Sequence, residues 1–569
     1  MARPPPGGPP GDPPRNPPAP PGAPAPREPS LADVAAGTVA PRMFRRAERE
    51  RRGEPPQKRR QVIPARRPRS RIWGWLLALL VLGIVAGGAA AGGLGWYLME
   101  IGRTPREWAP YLQQRAAGNH ALFVMGAGKV AGTLEAMDRL ERAGEPALPP
   151  QAGASVVRSG VAPAGMVKLV TNTQQLEAAL AAATPGQVIQ LLPGTYGVAG
   201  RGLFMSRPGT PLAPIVLRAE RLGDVSIESR AVVAFKINAP HWVVENLALR
   251  GMCENHRDCE HAFHVVGDAT GTVIRNNRME DFNAHIKING EGGRFPDRGR
   301  IEGNSLSNRV ARDTQKPVTP IDLVAASHWR IAGNFIADFQ RAYRGPATYG
   351  AFMKGEGEGT VIERNVVLCE WKLLRPRSPT IGLSIGGGAT FPDSLKRQLG
   401  ALGVEQVAGV IRDNLVAFCN DVGIYVNKGQ RSLIAHNTLL DTAGIGVRFA
   451  ESSAEVVGNV VDGAILARDA ALLRERDNLG TPLLGLFVGL HPVRDLFRDV
   501  ARLDLRWRER PAQVTIAEWR ADLCGVERMG RAMPGAFEDY GKCRDPVTAT
   551  PATTAPAAPA PRPPRDPGR

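Results

Sequence analysis

Charge is missing from Ile72 to Leu98, and aromatic residues are nearly missing from residues 1–71. Turn dipeptides do not recur with the apolar pattern of Trp242–Gly463. Each absence excludes something. Residues 1–71, rich in Pro, Gly, Ala and Arg, cannot bury enough apolar surface to offset chain entropy, so a folded domain is excluded there and a disordered arm is expected. A chargeless run from Ile72 to Leu98 is out of place on a soluble surface and long enough to cross a bilayer core of about 30 Å as a helix. Without turn dipeptides at regular intervals, Trp242–Gly463 cannot be a meander of hairpins. GLSIGGGAT at 382–390 lacks the Lys-Ser/Thr ending of a phosphate loop, which excludes nucleotide binding by that route.

A basic excess is also missing where a nucleic-acid surface would need it. The formal charge is +17, but residues 1–71 hold sixteen Arg or Lys against six Asp or Glu, a difference of +10. The mildly basic remainder suits an acidic glycan, and no nucleic acid is expected as partner.

What is present from Trp242 onward is one short motif eight times: a β-branched residue, two variable residues, an asparagine, one free position, then an apolar residue. The asparagines are Asn246, Asn277, Asn304, Asn334, Asn365, Asn414, Asn437 and Asn459, at spacings of 31, 27, 30, 31, 49, 23 and 22 residues. Spacings in this range mean a solenoid, and period-two alternation with β-branched residues makes each unit a strand with one buried face. Strands this short satisfy themselves by stacking in parallel, about 4.8 Å apart, as a parallel β-helix. A recurrent asparagine then reads as a hydrogen-bonded ladder along an inward corner rather than as a site. The 49-residue step predicts an inserted loop of about 20 residues between Asn365 and Asn414.

The flanks follow. Residues 72–98 are expected as a single transmembrane helix, with Trp73, Trp75, Trp96 and Tyr97 at its ends. Four arginines in Arg66–Arg71 place the amino terminus in the cytoplasm, and no motif in the arm names a cytoplasmic partner. Residues 99–165 read as a helical stalk and linker, with Glu135, Asp138, Arg139, Glu141 and Arg142 on a solvated face. Within 166–195, Leu176, Ala179, Leu180 and Ala183 make one apolar helical face suited to capping the first coil. Residues 166–465 form the β-helix domain, 466–545 an extension closing it, and 546–569 a disordered tail.

The cap, its turn PGQVIQLLPGTY, and PIVLRAERLGDVSI at 214–227 resemble the opening of the right-handed β-helix polysaccharide lyases that include chondroitinase B and alginate lyases. The resemblance spans roughly 166–465 as fold and implies a right-handed parallel β-helix acting on an acidic polysaccharide. Uronate β-elimination or C5 epimerisation needs a base for the C5 proton, cations for the carboxylate, and for elimination an acid for the leaving oxygen.

Between inward apolar positions of each coil's second strand lie His264, Lys287, Asp322, Lys354, Ser384, Tyr425 and Arg448, expected as one column on one face. The resemblance implies Lys354 as base, with Lys287 in a similar setting; Tyr425, His264 or Arg448 would supply the proton. His264, Lys287, Asp322 and Lys354 are the catalytic candidates, and Tyr425, Arg448 and Trp329 the substrate-binding ones. An alternative reading of the column is an exposed charge ladder worth little. The calcium of those lyases has no matching pair of acidic ligands here, since YRGPATYGAF precedes Lys354, and no cofactor or metal is expected.

All six cysteines follow the span, where thiols pair. Cys253 with Cys259 and Cys524 with Cys543 are the expected disulfides, whereas Cys369 and Cys419 either bridge consecutive coils or stay as small buried residues. The run CENHRDCEHAFH fits no common zinc spacing. The expectation is a single-pass inner-membrane protein of a bacterium, its β-helix in the periplasm. Its partners are an acidic polysaccharide and, through 72–98, the lipid bilayer. The alternative is a non-catalytic glycan-binding, export-assisting or structural envelope solenoid.

Overall fold

A strand of a few residues buries one row of side chains only when similar rows lie above and below it, and this chain achieves that by winding. The structure, a computed structural model, describes residues 71–142, 145–148, 152–156, 166–387, 397 and 403–543. The proline-rich arm, the tail and most of the loop expected between Asn365 and Asn414 lie outside the described residues. The chain divides into residues 1–83 and residues 84–569, and everything below concerns the second unit except the opening of the first helix.

Three parallel sheets of twelve, ten and eleven strands form the walls of a β-helix, each coil giving one strand to each sheet. The ten-stranded sheet matters most for function. Its strands are β1 (Leu203–Met205), β2 (Val233–Ile237), β3 (His261–Val266), β4 (Ile286–Asn289), β5 (Ile321–Val324), β6 (Thr348–Lys354), β7 (Thr380–Gly386), β8 (Ile424–Asn427), β9 (Gly444–Arg448) and β10 (Ala464–Arg468). Inward residues such as Phe263, Ile286, Ile321, Leu383 and Ile424 are fully buried in the core that fills the bore.

The asparagine ladder exists, shifted by one residue at its start. Asn365 Oδ1 accepts from Asn334 N and Asn334 Nδ2, both at 2.9 Å, and Asn365 Nδ2 donates to Asn414 Oδ1 at 2.9 Å. The same pattern runs from Asn277 to Asn478. Asn246 does not belong to it. Strand pairing aligns Val244 with Ile274, so Leu247 occupies the ladder position, and its amide donates to Asn277 Oδ1 at 3.0 Å. Asn246 instead matches Asn276, both with positive φ at a corner where asparagine is tolerated. Asn478 replaces it as the eighth rung.

The first coil is capped as expected by a helix, Thr173–Ala181, whose Leu176, Ala179 and Leu180 are buried. Helix α1 (Arg71–Ile101) contains a stretch, Leu79–Ile101, long and apolar enough to cross a membrane. Helices α2 (Pro105–Ala116) and α3 (Ala121–Asp138) follow it.

These last two are no linker. Arg106 and Asp138, the latter expected on a solvated face, are buried together. Arg106 Nη2 lies 2.8 Å from Asp138 Oδ1 and 2.9 Å from Asp441 Oδ1, while Nη1 donates to Cys419 O at 2.9 Å. The hairpin is thereby docked on the β-helix by a charge pair that water does not reach. The extension after 465 likewise packs along a flank: Phe497, Leu505, Phe537 and Tyr540 cover Leu368, Leu415 and Leu440 of the eleven-stranded sheet. All six cysteines pair, as Cys253–Cys259, Cys369–Cys419 and Cys524–Cys543.

Candidate functional site

The outward face of the ten-stranded sheet carries two polar columns rather than one. Strand pairing aligns Lys236, His264, Lys287, Asp322, Phe352, Ser384, Tyr425 and Gly446 on successive strands. Lys354 pairs with Val324, and Arg448 with Asn427 and Arg468, two residues farther along their strands. Same parity keeps them on the same face, displaced by about 7 Å from the column where the sequence had placed them.

At the middle of this face the charges converge. Lys287 Nζ lies 2.8 Å from Asp322 Oδ2, with the side chains 17% and 4% exposed, so the pair is largely removed from water. Asp322 Oδ1 has no hydrogen-bond partner among the described residues. Lys354 stands on the next coil with Nζ 4.6 Å from the centroid of the Phe352 ring. Burial pushes its amine below the ordinary lysine value; Asp322 and Glu405 oppose that shift and Lys287 adds to it. A lysine lowered this way is closer to the neutral form a base requires.

His264 lies beside this group. One ring nitrogen, Nε2, is 2.7 Å from Asn289 Oδ1, and burial holds its pKa below the usual histidine value. Lys236, which the sequence reading missed, bonds Glu291 Oε1 at 2.7 Å. The signal was there: Phe235-Lys236-Ile237-Asn238 repeats Ile286-Lys287-Ile288-Asn289, ahead of the first true ladder residue.

Tyr425 and Arg448 lie farther along, joined to the lysines through aromatic rings. Phe352 meets Tyr349 edge to face at 5.4 Å, and Tyr349 packs with Tyr425 around Ile381 and Val422. Burial raises the Tyr349 and Tyr425 hydroxyls, and the Tyr425 hydroxyl is bonded to Arg448, which pairs with Asp469. Here the face runs into a cavity of about 1580 Å³ between the α2–α3 hairpin and the sheet. Its wall includes Arg344, Arg375, Arg377, Arg448 and Arg468, and Asp421, pushed up to about 6 by burial and by Glu107. Among the described residues the guanidinium groups of Arg344, Arg375 and Arg377 have no carboxylate partner, so positive charge is presented on two adjacent coils of a wall that also holds Glu107, Glu135, Glu141 and Glu370.

Two expectations fare differently. Trp329 is 1% exposed, with Nε1 donating to Pro296 O at 2.7 Å, and it packs beneath Gly299; its ring offers no face to a sugar. Ser384 is fully buried, its hydroxyl given to Gly386 O at 2.6 Å. As for calcium, the carboxylates near Lys354 are engaged: Asp322 with Lys287, and Glu405 Oε2 with the amide of Gly355 at 2.8 Å. Among the described residues no three acidic, histidine or cysteine side chains converge to hold a metal, so the set does not fit that ion.

No protein-family model and no curated protein sequence matches this chain. Among solved structures it is similar to pectate lyase Pel9A, at 14% identity and TM-score 0.43 over 64% of this chain and 90% of that one. A rhamnogalacturonan lyase matches at 13% identity and TM-score 0.39, covering 53% and 82%. An alginate lyase from Paenibacillus sp. str. FPU-7 matches at 13% identity and TM-score 0.29, covering 55% and 99%. At these levels the comparisons add no residue to the site, which rests on this chain's own geometry.

Proposed function

We propose that the protein is a membrane-anchored, exported enzyme that removes the C5 proton of a uronate in an acidic polysaccharide, by β-elimination or epimerisation. The observation that carries this reading is the lowered amine of Lys354 beside the Lys287–Asp322 pair, on an outward face that leads into an arginine-walled cavity. Lys354 takes the proton in its neutral form. In elimination the C5 electron pair then forms the C4–C5 double bond as the C4–O bond breaks and the departing oxygen takes a proton from water; in epimerisation water returns a proton to C5 from the opposite face. Lys287 and Lys236 face the uronate carboxylate, whose enolate-like charge grows as the proton leaves. Phe352, Tyr349 and Tyr425 give apolar edges for sugar rings, and the arginines hold carboxylates of neighbouring residues. The four arginines of Arg66–Arg71, at the start of α1, put the arm in the cytoplasm and the β-helix in the periplasm, where the three disulfides persist.

Binding without turnover is the competing reading, favoured by Lys287 being already neutralised by Asp322. The test is to incubate full-length protein in detergent with alginate, pectate and glycosaminoglycans and follow the ultraviolet absorbance of unsaturated uronate together with deuterium uptake from heavy water. Either signal in the wild type, lost in Lys354→Ala, supports the enzyme. Polymer binding with neither signal moves the assignment to a glycan-binding solenoid.

A further inference from the structure

Helix α3 has two halves of opposite character. Its end is docked, with Asp138 buried against Arg106. Its beginning touches little: Leu122 and Phe123 are 66% and 73% exposed, and Val124, Met125 and Val130 are exposed as well. From Ala121 to Gly128 no side chain is polar, and up to Gly132 only Lys129 carries charge. A helix that is apolar all round belongs in apolar surroundings, and an exposed apolar patch of this kind marks a contact surface.

Three features identify what covers it. The turn that touches the docked end of α3 also touches α1. Leu484 packs against Gly95 of α1, and the Gly489 turn meets Met137 at the far end of α3, where His491 Nε2 lies 3.0 Å from Met137 O. Val488 and Leu490 in that turn are also exposed. Next, Leu122 to Met125 are consecutive, so they point to all sides of the helix; a protein partner covers one face, whereas lipid wets all of them. Last, the apolar part from Ala121 to Gly132 rises about 18 Å, well short of the roughly 30 Å needed to span. Lys129 has a stem long enough to carry its charge to headgroups.

We propose that the first half of α3, with the turn at 484–490, inserts shallowly into the same bilayer that α1 crosses, so that the β-helix is held against the lipid surface at two places. This rests on the reading of α1 as a membrane span. The consequence is positional: the Arg106–Asp138–Asp441 clamp then fixes the arginine-walled cavity at a set height above the membrane.

The native cysteines are all in disulfides, so a single introduced cysteine accepts one environment-sensitive fluorophore. Full-length Phe123→Cys, Gly88→Cys on α1 and Val310→Cys on the β-helix surface are each placed in phosphatidylcholine vesicles with spin-labelled lipids. Quenching at 123 is expected to match that at 88 and to exceed that at 310 several-fold, with iodide quenching only 310. Lipid quenching at 88 but not at 123 overturns the inference and leaves the anchor standing. That result with iodide also excluded from 123 assigns the surface to a second copy or another protein. No lipid quenching at either position overturns the anchor as well.

Discussion

Lys287 Nζ and Asp322 Oδ2 face each other at 2.8 Å across adjacent coils, and the charge of each acts on Lys354 one coil farther on. Because they act with opposite sign, removing one has a calculable direction. In Asp322→Asn the carboxylate that holds the proton on Lys354 is gone, and Lys287 is left without its partner. Both changes lower the Lys354 amine further. The acidic limb of the kcat/KM profile is expected to move to lower pH; movement to higher pH would show that the titrating base is another group.

The cavity arginines make a separable prediction. Arg375 and Arg377 lie on a different coil from Lys354, so replacing both with alanine is expected to raise KM for long oligomers by about tenfold, two charge-assisted contacts being shared with solvent, and to leave kcat unchanged. Tyr425→Phe behaves the same way on a smaller scale. Steady-state kinetics on a series of oligomer lengths distinguishes binding from chemistry, and a loss confined to kcat contradicts the assignment.

Docking of the hairpin depends on Arg106. Its replacement by methionine leaves Asp138 buried without a charged partner and Asp441 with Arg494 at 3.7 Å, a change that typically costs about 3–5 kcal/mol. Expected are a lower melting temperature and faster proteolysis between α3 and the β-helix. Adding Asp138→Asn and Asp441→Asn to Arg106→Met restores part of the loss, because the stranded charges go with it.

Several buried histidines work against acid stability, His261 and His436 being held below the usual histidine value by burial as His285 is. His285, fully buried with Nε2 3.0 Å from Ser307 O, is pushed down to about 4 by burial. Between about 6.5 and 4 the unfolded chain binds a proton there that the folded chain refuses, so stability falls as pH falls through that window, by roughly 3 kcal/mol in all. Asp338 and Asp413, both raised to about 6, act in the opposite sense from about 6 to 4. The difference between wild type and His285→Gln in chemical denaturation at several pH values isolates the histidine: the variant is expected to lose less stability on acidification.

The ladder register is testable as well. Asn365→Ala strands the buried amide of Asn334 and is expected to cost about 2–4 kcal/mol, two or more buried hydrogen bonds at 1–3 kcal/mol each being only partly additive. Asn246→Gly, at a φ of 62° that glycine adopts freely, is expected to cost far less. Equal losses would place Asn246 back among the rungs.

The coil was legible because its signal is periodic: a buried face every second residue and an asparagine every turn are imposed by the stacking itself. Parity told which residues point outward. Position along the strand was not legible, because no local pattern marks which outward residue meets which neighbour when loops differ in length. Lys354 and Arg448 were therefore set in the column of Asp322 and Tyr425, two residues from their places. Asn246 entered the ladder for the same reason, an adjacent asparagine satisfying the motif one position early. Trp329 was a substrate-binding candidate only because it adjoins the polar strand, corner packing being the better explanation of its His-Trp pair, and its indole does find Pro296 O inside the corner. Nor could the hairpin be seen as docked, since Arg106 and Asp138 meet Asp441 some three hundred residues away in sequence.

The most direct test of the account follows the C5 hydrogen itself. Full-length protein is incubated with a uronate polymer in heavy water, and the C5 proton resonance is integrated over time. Elimination consumes that resonance and epimerisation exchanges it for deuterium, so the account predicts its decay with the wild type and its persistence with Lys354→Ala, which still binds polymer. A resonance that persists with the wild type across alginate, pectate and glycosaminoglycans, or that decays equally with Lys354→Ala, would contradict it.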